Sequence, residues 1–153
     1  MQLFPLWHQK NRNHDKSMKE KIYFRPQRLL SDGLLLSAQR VPEKVAVVVE
    51  GKSYTYADIH DTAERLSAFL VAKKGLCRGD RVAIYMDNTW PCIVSLYAVM
   101  LAGGVFLLVN PQTKSEKLKF ILEDSGASIF LTDAHLIPFF APILEEIDDP
   151  LSI

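Results

Sequence analysis

The residues with the clearest potential for chemistry are Gly51-Lys52-Ser53, which match the end of a phosphate-binding P-loop. Such a loop surrounds phosphate oxygens with backbone N–H groups, and it needs an earlier glycine and a position between a strand and a helix. That glycine is absent here, and the three residues lie between two short β-prone runs, 45–49 and 53–55. The spacing therefore favours a hairpin, with Gly51-Lys52 as a two-residue type II′ turn, over a phosphate site.

The histidines and carboxylates form no recognisable catalytic or metal-binding set. No two histidines are three or four residues apart, and none lies beside a cluster of carboxylates in the sequence: His8, His14, His60 and His135. The acidic residues form a helical group and a C-terminal group, both predicted to be solvated: Asp58, Asp61 and Glu64, then Glu145, Glu146, Asp148 and Asp149. There is no G-x-G-x-x-G loop either. We therefore predict no catalytic, cofactor-binding or metal-binding residue in this chain.

The charge is balanced overall but uneven along the chain. The 153 residues carry 18 basic and 18 acidic side chains, which gives no indication of a nucleic-acid partner. Residues 1–28 hold seven Lys or Arg against two acidic residues, so we expect a basic, poorly ordered leader there. A membrane or nucleic-acid contact by this leader is the less favoured alternative.

The cysteines and the N-terminus both favour a cytoplasmic protein. Cys77 and Cys92 fit neither a disulfide framework nor the spacing of a zinc site. The apolar run at residues 3–7 is too short and too interrupted for a signal peptide.

Residues 88–113 form a long stretch without a charged side chain, and the elements on both sides are arranged around it. About 20 apolar residues can cross a bilayer, so a single membrane span at residues 90–109 is one alternative. However, Pro91 suits the first turn of a helix, and Gly103-Gly104 suits a helix end. We therefore predict a buried helix followed by a buried strand at residues 105–109.

The remaining pattern predicts an α/β fold. After the hairpin, a strand followed by a helix occurs three times, which indicates a Rossmann-like, mostly parallel sheet flanked by helices. Ser31 or Asp32, Thr55 and Ser115 are the predicted N-caps of helices, with Asp58 completing a capping box at Thr55. The final helix carries apolar residues that we expect to be left uncovered: Phe139, Phe140, Ile143 and Leu144.

Four segments resemble motifs of the adenylate-forming ligases, a family of AMP-forming acyl-CoA synthetases, peptide-synthetase adenylation domains and luciferases. Residues 53–59 resemble the first core motif, and residues 101–111 resemble the second, with Leu101, Leu108 and Asn110 in place of the usual Lys, Pro and Asp. Residues 79–84 and 125–127 add weaker matches in the family's order.

The resemblance implies the first part of a carboxylate-activating ligase. We expect residues 29–153 to form an N-terminal subdomain that stops before the family's phosphate loop, and to depend on the remainder of the ligase domain. ATP, Mg²⁺, CoA and a carboxylic acid are then implied for a full-length relative, and no cofactor for this chain alone, which we expect to be inactive. A non-catalytic scaffold derived from the same subdomain is the alternative function.

Overall fold

A computed structural model of the chain describes residues 29–147 and 151–152. The predicted basic leader, residues 1–28, lies outside the described residues. The helices and strands follow the predicted order: α1 (Leu30–Arg40), β1 (Val45–Val49), β2 (Lys52–Thr55), α2 (Tyr56–Lys74), β3 (Arg81–Tyr85), α3 (Trp90–Leu101), β4 (Val105–Val109), α4 (Ser115–Ser125), β5 (Ile129–Thr132), a 3₁₀ turn (Ala134–Leu136) and α5 (Ile137–Leu144).

Three of the strands form a parallel sheet in the order β4-β3-β5, which confirms the predicted α/β fold. Ala83 in the central strand lies opposite Leu107 on one side and Phe130 on the other. Residues 82–85 of this strand are completely buried, as expected for a strand covered on both faces. Ser152 pairs with the outer side of β5, where its carbonyl oxygen accepts a hydrogen bond from the Phe130 N–H.

Each face of this sheet has its own hydrophobic core. Val82 and Ile84 point to the face covered by α2 and α3, whereas Ala83 and Tyr85 point to the face covered by α4 and α5. Because successive side chains of a strand alternate between faces, β3 contributes to both cores. This places the carboxyl ends of the parallel strands between two layers of helices.

The long uncharged stretch divides into α3 and β4, as predicted. α3 is 12 residues long and ends before Gly103, which has a left-handed φ of 80°. Among the described residues, no helix has the length and hydropathy needed to cross a bilayer. The prediction of a buried strand is wrong in one respect, because β4 lies at the sheet edge and the side chains of Val105 and Leu108 are half exposed.

The hairpin forms, but its turn differs from the prediction. β1 and β2 are antiparallel with Val49 opposite Lys52, so the two turn residues are Glu50 and Gly51. Both have left-handed φ values, 50° and 79°, which corresponds to a type I′ rather than a type II′ turn. Lys52 therefore belongs to a strand.

The capping box at Thr55 is confirmed. Thr55 Oγ1 accepts a hydrogen bond from the Asp58 N–H at 3.1 Å, and Asp58 Oδ2 accepts one from the Thr55 N–H at 2.8 Å. Hydrogen bonds from the Thr55 backbone and side chain hold the pKa of the Asp58 carboxyl below its usual value. The capping box fixes the start of α2 directly after the hairpin.

The other two predicted caps are wrong by one to three residues. α1 starts after Leu29, and Asp32 lies inside its first turn, accepting a hydrogen bond from the Leu29 N–H at 3.2 Å. Ser115 is the first residue of α4 rather than its cap, and its hydroxyl donates to the carbonyl oxygen of Phe139 at 2.7 Å. This hydrogen bond joins the start of α4 to α5.

Candidate functional site

The candidate site lies at the carboxyl edge of the parallel sheet, where β3 and β5 end next to each other. Asp87 follows β3, and Asp133 follows β5, with His135 two residues further along. In open α/β sheets, ligands bind in the crevice outside the carboxyl ends of the strands. The fold therefore places three side chains with ionisable groups where a ligand would be expected.

These three side chains are in close contact. Nε2 of His135 lies 2.8 Å from Oδ2 of Asp87, and one donor atom from each of Asp87, Asp133 and His135 lies within 4.8 Å of the other two. Oδ2 of Asp133 is enclosed by the protein and has no hydrogen-bond partner among the described residues, and the same holds for Oγ1 of Thr132. The cluster thus combines an exposed imidazole with a carboxylate oxygen that lacks a donor.

The expectation that no histidine lies beside a carboxylate cluster is wrong for His135. Asp87 is 48 residues away in the sequence, and only the parallel pairing of β3 with β5 brings the two loops together. A signal for this was present in the sequence, because a polar residue follows closely after each of the two buried strands. Pairing those positions would have required the strand order.

The loop after β4 is held against the central strand by Tyr85. The Tyr85 hydroxyl lies 2.7 Å from the carbonyl oxygen of Pro111 and 3.2 Å from that of Thr113. Burial, and secondly the negative charge of Asp87, raise the pKa of the Tyr85 phenol. The side-chain oxygen of Asn110 accepts the Gln112 N–H at 2.8 Å, which closes the turn. The crevice therefore has one ordered wall.

An open pocket of about 490 Å³ occupies this part of the edge. It lies between the loops after β3 and β4 and the start of α5, and its lining residues are Asp87, Pro111, Gln112, Thr113, Lys114, Ser115, Leu136 and Phe139. A second pocket of similar volume extends from Asp87 and Asn88 across Leu108 and Asn110. The rim carries both signs of charge, with Asp87 and Lys114 on one pocket.

Cys92 lies behind the carboxylates and is buried, with an exposure of 3%. Burial, and secondly the charge of Asp133, raise the pKa of the Cys92 thiol. A thiol in these surroundings stays protonated and is a poor nucleophile. The structure therefore gives no reason to assign Cys92 a catalytic role.

The other residues considered in the sequence lie away from this edge. Gly51-Lys52-Ser53 is part of the hairpin, and Nζ of Lys52 stands 5.0 Å from the centre of the Tyr54 ring. Asp61 and Glu64 are exposed or half-exposed on α2, beside the capping residue Asp58. Glu146 is exposed and accepts a hydrogen bond from Lys119 at 2.8 Å. His8, His14, Asp148 and Asp149 lie outside the described residues.

Trp90 and Phe106, which had the composition of core residues, pack against the α2–α3 core and are partly buried. The ring of Trp90 also stacks on Tyr54, with 3.8 Å between centroids and 8° between planes. This contact attaches the hairpin to the first turn of α3.

Comparison with known proteins identifies the fold. The profile of a family described as AMP-binding enzyme matches residues 35–151, which is most of the chain. The chain belongs to this AMP-binding family. The match confirms the resemblance to the adenylate-forming ligases found in the sequence motifs.

Members of the AMP-binding family with two different functions are similar to this chain. A long-chain-fatty-acid–CoA ligase of Bacillus subtilis is 37% identical over 113 residues, which cover 74% of this chain and 20% of the ligase. Gramicidin S synthase 2 of Brevibacillus brevis is 32% identical over 99 residues, covering 65% of this chain and 2% of the synthase. The chain thus spans a fifth or less of the length of these two curated relatives.

A solved member of the family has the same fold over the shared part. The structure of a long-chain-fatty-acid–CoA ligase from Archaeoglobus fulgidus superimposes with a TM-score of 0.76 at 25% identity, covering 84% of this chain and 27% of that ligase. The β4-β3-β5 sheet and its helices therefore correspond to one portion of an adenylate-forming enzyme.

Proposed function

We propose that this chain forms the N-terminal portion of an ATP-dependent, carboxylate-activating ligase of the acyl-CoA synthetase type. The observation that carries the proposal is the family match over residues 35–151, which includes all three parallel strands. The higher identity to the fatty-acid ligase, 37% against 32% for the gramicidin synthase, favours an acyl-CoA synthetase over an amino-acid adenylation domain.

The resemblance implies a reaction in two steps. In the first, a carboxylate oxygen bonds to the α-phosphorus of ATP while the bond to pyrophosphate breaks. In the second, the CoA thiol attacks the acyl carbon, its proton is lost to a base, and AMP leaves. ATP, Mg²⁺, CoA and a carboxylic acid would be required by the complete enzyme.

The described residues do not fit a site for the phosphates of ATP. Phosphoryl transfer needs cations or aligned N–H donors where negative charge develops. Lys52 is held on the hairpin over Tyr54, and Arg81 starts β3 at the opposite end of the sheet from the candidate site. Asp87 and Asp133 would repel a phosphate at the carboxyl edge. We therefore propose that residues 29–153 act as scaffold, that the chain alone does not catalyse the reaction, and that the remainder of a ligase domain supplies the phosphate loop.

We also propose a cytoplasmic location. The two cysteines are both free thiols, Cys77 exposed and Cys92 buried, which supports a reducing compartment. Cell fractionation with a tagged chain tests this point independently of activity.

The test of the proposed function is a segment exchange. The segment of the Bacillus subtilis fatty-acid–CoA ligase that matches this chain is replaced by residues 35–151, and pyrophosphate release is measured with a long-chain fatty acid. We expect activity well above that of the same ligase lacking the segment. A protein that folds cooperatively but stays at the background rate would contradict the proposal and favour a non-catalytic scaffold.

A further inference from the structure

We propose that Asp87, Asp133 and His135 form a binding site for a divalent transition-metal ion, with Zn²⁺ as the ion that fits best. The site requires no other part of a ligase domain, and it is independent of the proposed function. It also replaces the expectation, drawn from the sequence, that this chain binds no metal.

The first argument is the geometry of the donor atoms. Two donors bound to one zinc ion at about 2.1 Å each are at most about 4.2 Å apart. The three donor atoms lie within 4.8 Å of one another, so they need to approach by less than about 1 Å to share one ion of this radius. The two carboxylates come from loops fixed by paired strands, and the 58% exposed side chain of His135 is free to adjust.

The second argument is the unsatisfied oxygen of Asp133. Its Oδ2 atom is enclosed by the protein and has no hydrogen-bond partner among the described residues. No Lys or Arg in the described part of the chain forms an ion pair with Asp133. An enclosed carboxylate oxygen without a donor is costly unless a cation balances it. The oxygen belongs to one of the carboxylates of the cluster, so a metal ion there would balance its charge.

The third argument concerns which metal is selected. Mg²⁺ and Ca²⁺ prefer a shell made only of oxygen atoms, whereas imidazole suits zinc and neighbouring transition metals. Two carboxylates and one imidazole make three protein ligands, and His135 stands at the surface beside the open crevice. Three protein ligands leave a fourth position of a tetrahedral zinc ion for water or another small ligand.

The experiment uses Co²⁺ as a spectroscopic substitute for Zn²⁺, in a Cys77→Ser background so that the exposed thiol does not bind metal. Visible absorbance is followed during titration of the whole chain, and Zn²⁺ is then added to displace the Co²⁺. We expect one Co²⁺ per chain and complete displacement. His135→Gln should weaken binding by more than the roughly tenfold effect of losing a supporting residue.

His60→Gln provides the matched control, because Nδ1 of His60 lies 3.3 Å from a single carboxylate oxygen of Asp61 on α2. It should leave binding unchanged. Asp133→Asn should also weaken binding, and circular dichroism establishes whether that variant is folded. Since the His135 side chain is exposed, His135→Gln gives the answer even if Asp133→Asn unfolds.

Three results would overturn the proposal. One is the absence of saturable Co²⁺ binding at millimolar concentration. The second is equal affinity in the parent and the His135→Gln chain, which would place the metal on other residues such as His8 or His14. The third is an equal loss in His135→Gln and His60→Gln, which would indicate non-specific binding.

Discussion

The hydroxyl of Tyr85, at the end of the central strand, donates a hydrogen bond of 2.7 Å to the carbonyl oxygen of Pro111 in the loop after the neighbouring strand. The Tyr85 side chain is otherwise fully buried against the ring of Phe130. One residue therefore joins the core under α4 and α5 to the wall of the candidate site. The shape of the crevice depends on packing in the interior.

Tyr85→Phe should destabilise the chain by about 1–2 kcal/mol, because the carbonyl of Pro111 loses its donor while the ring stays in place. Urea denaturation followed by circular dichroism measures this loss. Tyr97→Phe on α3 is the control, since no hydrogen bond of its hydroxyl is found among the described residues. Equal losses in the two variants would show that the Tyr85 hydrogen bond contributes nothing.

Gly104→Ala should be more harmful than its small change in volume suggests. A Cβ atom at this position would lie 3.0 Å from Cγ1 of Val99 and 3.3 Å from the carbonyl oxygen of Asp80. Overpacking of this kind costs about 1–3 kcal/mol. Crowding at the end of α3 therefore falls on Gly104, since the same atom at Gly103 would be at least 3.5 Å from its neighbours.

Gly33→Ala is the matched control for Gly104→Ala. Gly33 lies inside α1, and an added Cβ would have no neighbour within 4 Å. Alanine should stabilise the helix there by about 0.5–1 kcal/mol. Melting temperatures that fall equally in both variants would contradict the packing assigned to Gly104.

The two thiols should react at very different rates with a thiol reagent such as Ellman's reagent. Cys77 is exposed, whereas Cys92 is buried and its pKa is raised by that burial. Because the folded state holds the Cys92 proton more tightly, this contribution to stability is present below the ordinary thiol pKa of 9.0 and is lost as the pH rises through the folded value. We expect one rapidly reacting thiol per chain, and none in Cys77→Ser until urea is added. Two rapid thiols in the native chain would contradict the burial of Cys92.

The exposed edge of the sheet should make the isolated chain associate. β4 has β3 on one side and no other described strand on the other, and Leu108 is half exposed. Lysine on an edge strand opposes pairing with another chain. Leu108→Lys should therefore reduce the mass measured by light scattering without lowering the melting temperature.

Val48→Lys tests whether any added lysine has this effect. Val48 is 59% exposed on the hairpin, away from the edge of the parallel sheet, so this variant should associate as the parent does. If the parent is already monodisperse, or if both variants lose association equally, the edge of β4 is not the surface involved.

The parts of the fold that depend on neighbouring residues could be predicted from the sequence. The capping box of Thr55 and Asp58 and the left-handed Gly75 at the end of α2 both involve contacts within one helical turn. The order of the three strand–helix units follows from hydrophobic periodicity alone. The hairpin turn lies one residue earlier than predicted, because Glu50 takes a positive φ that is uncommon for a non-glycine residue.

The candidate site could not be predicted in the same way. His135 and Asp87 meet because β5 pairs with β3, and strand order is a property of the whole sheet. For the same reason, the sequence of residues 105–109 could not distinguish a central strand from an edge strand. The expectation of an uncovered final helix is wrong for Phe140 and Ile143, which are buried, whereas Phe139 is exposed.

Calorimetric titration of the isolated chain with ATP and Mg²⁺ tests the central claim most directly, namely that this portion of a ligase holds no phosphate site of its own. Pyrophosphate release with a long-chain fatty acid is measured on the same sample. We predict no saturable heat in the micromolar range and no pyrophosphate above the blank. A micromolar, Mg²⁺-dependent ATP site that is abolished by Lys52→Ala would contradict the account, because it would give Gly51-Lys52-Ser53 a phosphate-binding role that its place in a hairpin argues against.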